Sequence, residues 1–200
     1  MINVLGISAY FHDSAAALLC DGKLVAAAEE ERFSRIKHDY GFPEKAIDFC
    51  LTEANISIDD IDYVVFFEKP FLKFERLLRT TFSTWPSSWS LFRQSMRNWL
   101  LDKLWVKSTI KQTLGLPKDR ILFSEHHLSH AASAFFCSPF EEAAVVTLDG
   151  VGEHETASIG HGGPGGMSTL EAAVLPYSLY LLNSAFTAFL KFKVNEGKYK

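Results

Sequence analysis

Short apolar runs broken by turn residues open the chain. "NVLGISAYFHDSAAALLCDGKLVAAAEEERFSR" reads as three short strands joined by tight turns, and Asp21-Gly22 between two apolar runs is a hairpin signal. In "PEKAIDFCLTEANIS" the period changes. Ala46, Ile47, Cys50, Leu51 and Ala54 recur at helical spacing behind Pro43, which predicts a helix. "IDYVVFFEK" and "RILFSE" are buried strands, and a helix follows the second with Ser124 as its N-cap and Glu125 near its start. "EAAVVTLDGVGEHETASIGHGG" then repeats the opening pattern of strand, turn and strand. The long apolar stretch Ala172–Phe192 is interrupted by Pro176, Asn183 and Ser184, so it reads as a strand end plus a buried helix, with a membrane span as the alternative.

Two strand-turn-strand units, each opening a mixed α/β half, suggest a duplicated domain. The halves would be residues 1–141 and 142–200. Backbone N–H groups of the turns "SAYFHDSA" and "LDGVGEHE" could then face a nucleotide's phosphates. The plainer alternative is two ordinary hairpins in one sheet. A helical insert over about 71–115 interrupts the first half. It holds all four tryptophans (Trp85, Trp89, Trp99 and Trp105) and is locally basic, because among its acidic residues only Glu75 and Asp102 stand against its lysines and arginines. A helical apolar stripe runs through Leu91, Phe92, Met96, Trp99, Leu100 and Leu104. This predicts a helical hairpin packed on the core with a solvated basic face, or else a lid or docking face for an anionic substrate or partner.

Composition narrows the classes. With 200 residues, 48% of them hydrophobic, the chain can bury a core of its own. A formal charge of −4 gives no global basic footprint for nucleic acid. Cys20, Cys50 and Cys137 are scattered and form no CxxC, as expected of small core residues in a reducing compartment. The N-terminus lacks a basic n-region, and His12 and Asp13 interrupt its apolar run, unlike a signal peptide. The expectation is a soluble, cytoplasmic protein.

The candidate chemistry sits in "SEHHLSHAASAFF", residues Ser124–Phe136. On a helix His126 and His130 are i and i+4, on one face, where two imidazoles can chelate one ion. His127 points elsewhere, with His127 and His130 at i+3 as the alternative pair. The metalloprotease pattern HExxH fails, since the second position is not Glu. Asp149 ends the strand "AAVVTLD", where a carboxylate can project from the strand's C-terminal end. Two histidines and one carboxylate leave open positions and suit Fe(II), Mn(II) or Zn(II) as a Lewis acid. The alternative is a set of polar helix-terminus residues that hydrogen-bond and hold no metal.

"HDSAAALLCDGKLVAAAEEERFSRIKHDYGFPEKAI", "HHLSHAASAFFCSPFEEAAVVTLDGVGE" and "SAFTAFLKFKVNEGKYK" together resemble the N-terminal part of the O-carbamoyltransferase family, which includes antibiotic- and nodulation-factor-modifying enzymes. The resemblance implies a Kae1-like domain with the actin/sugar-kinase/Hsp70-like duplicated fold, its first half complete and its second half truncated at Lys200. It implies transfer of a carbamoyl group from carbamoyl-adenylate to the hydroxyl of a small acceptor. The adenylate would be made from carbamoyl phosphate and ATP by a YrdC-like domain that this chain lacks. The family's iron-binding HxxxH then falls on His126 and His130, and its first carboxylate ligand on Asp149. His12 matches the histidine of the "HD" turn beside the carbamoyl group, and Lys37 the lysine of the "KHD" element that binds the donor's anionic part. In "DGVGEHET" the family usually has an aromatic where His154 stands, so His154 is either an extra ligand or only a substitution. On this reading the chain alone would be inactive. Two other classes stay open: a non-catalytic actin-like nucleotide-binding module, and an Fe(II) oxygenase using a 2-His-1-carboxylate triad in a strand-dominated fold.

Overall fold

The computed structural model describes residues 2–11, 13–101 and 103–194. They form two compact units, Met1–Ser124 and Glu125–Lys200. The histidine helix therefore belongs with the second sheet, whereas the half-boundary expected from the repeat fell after residue 141.

The first unit is built on a mixed five-stranded sheet. β1 (Asn3–Ser8) pairs antiparallel with β2 (Ala15–Cys20), which pairs antiparallel with β3 (Lys23–Glu29). On the other side β1 pairs parallel with β4 (Tyr63–Phe66), and β4 parallel with β5 (Ile121–Phe123). The strand order is β3-β2-β1-β4-β5. The Asp21-Gly22 hairpin is present, with both residues at positive φ (47° and 76°), as a two-residue turn matching the strand twist requires. Alternation along β1 buries Leu5 and Ile7, which meet Leu18, Val64 and Ile121 in one core. Each such side chain removed from water contributes roughly 1.5–3 kcal/mol.

After a one-turn helix, α1 (Glu31–Ser34), the longer α2 (Glu44–Ala54) packs on β2 and β3. It buries Ala46, Ile47 and Cys50 at the predicted spacing. Its first turn is held by Glu30, a buried carboxylate that accepts the backbone N–H of Ala46 at 2.8 Å.

The parallel step from β4 to β5 needs a crossover. The tryptophan-rich segment supplies it as α3 (Pro70–Ser83), α4 (Trp89–Leu101) and α5 (Val106–Leu114). Phe74 and Trp99 join α3 to α4, their ring centroids 5.8 Å apart. α5 differs from a docked hairpin, because Val106 and Ile110 lie inside the main core.

The second unit opens with α6 (His126–Phe135), followed by an antiparallel sheet of β6 (Ala143–Leu148), β7 (Glu155–Gly163) and β8 (Gly166–Val174), and then α7 (Leu179–Phe189). Ala131 and Phe135 of α6 pack against Val145 of β6. Gly162 makes room for this, since a Cβ there would lie 2.7 Å from the Phe135 ring. Both units thus carry a three-stranded antiparallel meander, the duplication expected of an actin-like α/β fold. One expectation fails. α7 is not a buried helix: among its described residues only Thr187 is buried. No helix among the described residues is long and apolar enough to cross a membrane.

Candidate metal centre

The start of α6 and the end of β6 bring three side chains together within the second unit. His126 and His130 share a helix face, as their spacing predicts, with ring centroids 4.7 Å apart. Asp149 follows the last residue of β6. A carboxylate only accepts, so His126 Nε2–H donates to Asp149 Oδ2, at 2.8 Å. His130 Nε2 lies 3.1 Å from His126 Nε2. One ligand atom from each residue falls within 4.8 Å of the others. Ligand atoms at about 2.1 Å from one ion and at right angles would lie about 3.0 Å apart, so the two observed separations fit a shared divalent cation. The donor set of two imidazoles and one carboxylate suits iron, manganese or zinc.

The electrostatics agree with that use. The His126 hydrogen bond, foremost, and the Gly150 N–H hold the Asp149 carboxyl down at about 2 against the opposing effect of burial. Burial first, and then the neighbouring His126, push His130 below the ordinary imidazole value. That favours the unprotonated ring, whose lone pair a metal needs.

The surrounding residues fix the three candidate ligands in place. His127 is buried and occupied. Its Nε2–H donates to the Glu155 carbonyl at 3.1 Å, and its Nδ1 accepts from the Thr147 hydroxyl at 2.6 Å. Thr147 in turn meets the Ser158 hydroxyl at 2.6 Å. This chain ties the helix to β6 and β7. Glu153, 7% exposed, accepts the His126 backbone N–H with both oxygens at 2.9 and 3.1 Å. A carboxylate at a helix N-terminus meets both the orphan N–H and the positive end of the dipole. Gly152 is a close approach: a Cβ there would lie 2.8 Å from His127 Cδ2 and 3.1 Å from His126 Cδ2. The Ser178 hydroxyl, which caps α7, donates to the Gly150 carbonyl at 2.9 Å and steadies the Asp149 turn.

Sequence reasoning picked the three convergent residues and missed Gly152 and Glu153. Their signal is weak, because it lies only in the run "VGEHE" across the turn from the histidines. His154 does not join the cluster among the described residues.

The other two candidates belong to the first unit. His12 lies outside the described residues. Lys37 is exposed in a turn after α1. The two motifs that carry them are adjacent. Tyr10 N–H donates to the Tyr40 carbonyl at 2.8 Å, and Ser14 N–H to the Asp39 carbonyl at 2.7 Å. His38 Nδ1 lies 2.8 Å from Asp13 Oδ1, and the His38 backbone N–H donates to Glu31 at 3.0 Å. Asp13 and Ser14 therefore form one local structure with the "KHD" element.

Residues 3–200 match the family model described as "Carbamoyltransferase N-terminus". The chain belongs to that family. The Synechocystis protein sll1178 is 50% identical over 207 residues, covering 100% of this chain and 34% of that protein. The nodulation protein NolNO of Sinorhizobium fredii is 38% identical over 147 residues, covering 72% of this chain and 20% of NolNO. The chain thus spans about a third of the first relative and a fifth of the second. Among solved structures, YeaZ from Pseudomonas aeruginosa aligns at a TM-score of 0.45 and 16% identity, covering 88% of this chain and 68% of that one.

Proposed function

We propose that this carbamoyltransferase N-terminus forms part of an enzyme that moves a carbamoyl group from carbamoyl-adenylate to the hydroxyl of a small acceptor. The observation that carries the reading is the convergence of His126, His130 and Asp149 in a chain that matches the family from residue 3 to residue 200. These three would hold a divalent cation, iron in the first instance. When bound, such an ion polarises a carbonyl and offsets negative charge. Lys37 would bind the donor's anionic part. His12 would accept the proton of the attacking hydroxyl. The acceptor oxygen bonds to the carbamoyl carbon, the bond from that carbon to the phosphate oxygen breaks, and AMP leaves with that oxygen. Supply of the adenylate from carbamoyl phosphate and ATP falls to a YrdC-like domain, so this chain alone should not turn over. The oxygenase alternative called for a strand-dominated fold, and the described residues are mixed α/β.

The test is transfer to hydroxylated acceptors, read by mass spectrometry as a gain of one carbamoyl group, using the chain joined to an adenylate-forming domain. His126→Ala should slow transfer by roughly 10²–10³-fold, the usual cost of removing a transition-state charge stabiliser. His12→Asn should cut the rate far more than it weakens adenylate binding. Turnover by the 200-residue chain with carbamoyl phosphate and ATP, or no transfer by the joined protein, would refute the proposal.

A further inference from the structure

The crossover helices gather positive charge over one aromatic ring beside the "HD" turn. Lys73, on α3, is nearly buried and pairs with Glu68, also nearly buried, at 2.6 Å. Its ammonium sits 4.9 Å from the centroid of the Phe11 ring. Lys103, in the 3-10 turn Lys103–Trp105, reaches the same ring from another element, 5.7 Å from its centroid, and lies 5.3 Å from the Trp99 ring. Two ammonium groups thus share one phenyl ring and one carboxylate. Glu68 can neutralise only one of them. Among the described residues Lys103 has no ion pair, and ring faces compensate a half-buried cation only in part. Burial first, and then the Lys73 charge, lower the Lys103 pKa. Phe11 is 52% exposed, so this corner opens to solvent. Glu68 also lies just past the carboxyl end of β4, the side of an open α/β sheet where ligands bind.

We infer that Lys73 and Lys103 form a subsite for an oxyanion, a carboxylate or a phosphate, seated beside the exposed Phe11 ring. The ligand's charge balances the excess ammonium, and its body lies along the exposed Phe11 side chain. Phe11 immediately precedes His12 in the chain, so the oxyanion would sit next to the turn assigned to proton transfer. It belongs either to the acceptor or to the donor's phosphate. The subsite stands on this geometry whether or not carbamoyl transfer is the reaction.

The experiment labels the lysines as ¹³C-dimethyl derivatives and follows their NMR signals during titration with benzoate, inorganic phosphate and AMP. Lys103→Arg and Lys103→Gln provide the assignments. The expected result is a saturable shift at Lys103 and Lys73 with none at Lys118, an affinity retained in Lys103→Arg, and a loss of roughly tenfold in Lys103→Gln. Saturation by AMP assigns the oxyanion to the donor. Saturation by benzoate or phosphate but not AMP assigns it to the acceptor. Shifts that rise linearly and equally at Lys103 and Lys118 for all three probes would be general screening and would overturn the subsite. The readout is binding alone, so failure here leaves the transfer reading intact, and failure of transfer leaves the subsite intact.

Discussion

Asp149 makes the stability of the metal-free chain sensitive to strong acid. Its carboxyl group is held at about 2 by the His126 hydrogen bond, below an ordinary value of 3.8. A depressed folded-state value means the stabilisation is fully present above about 3.8 and disappears as pH falls through about 2. Urea midpoints measured across that window should fall with acid, and Asp149→Asn should flatten the slope. An unchanged slope would remove the pair from the account. Gly152 makes a second, independent demand. In Gly152→Ala the added methyl must push the His126 and His127 rings aside, because it would lie 3.1 and 2.8 Å from their Cδ2 atoms. Displaced rings bind metal less well, so calorimetric titration should find affinity down by about 10–100-fold, the usual penalty for disturbing the support of a ligand. The convergence of His126, His130 and Asp149 could be read from the sequence because residue chemistry and helical period suffice for it. Gly152 and Glu153 could not, because their work depends on which turn faces which helix.

The start of α6 shows the same limit for an element. Ser124 has the composition of an N-cap, yet its backbone N–H donates to the Phe66 carbonyl at 2.9 Å and still extends the first sheet. The helix begins one residue beyond the expected start, behind Glu125, and its first N–H is met by Glu153 from a distant turn. Local pattern fixed the helix and its face, and a tertiary contact fixed its first residue. Glu153→Gln keeps an acceptor and loses the charge, so it should cost about 1–2 kcal/mol. Denaturant unfolding would measure this, and an unaltered midpoint would show that the carboxylate is dispensable. The strands, the Asp21-Gly22 turn and α2 were legible because alternation and helical spacing act locally. α7 was misjudged because its apolar composition speaks of burial, while cover depends on what packs against it.

At the scale of the molecule, much apolar surface faces outward in the second unit. Leu179, Phe186 and Phe189 on α7 are 66%, 58% and 80% exposed. Leu170 and Val174 add to this on β8. Patches of this kind seek cover. Expressed by itself, the 200-residue chain should self-associate in sedimentation velocity, and Phe186→Ser with Phe189→Ser should shift it toward monomer. A monodisperse wild-type monomer would contradict this. The duplicated meander was legible at this scale from two recurrences of strand, turn and strand. The division after Ser124 was not, since it depends on Ala131 and Phe135 choosing Val145 as their partner. One consequence of that choice is topological. His126 and Asp149 stand 23 positions apart, one on a helix and the other just past a strand of the same unit. An ion gripping both would close the intervening chain into a ring, as a covalent staple does. Much of its effect would then fall on the unfolded chain, whose freedom shrinks by a ring-closure entropy worth about 3 kcal/mol for loops near this size. An ion bound there would lock the fold around it.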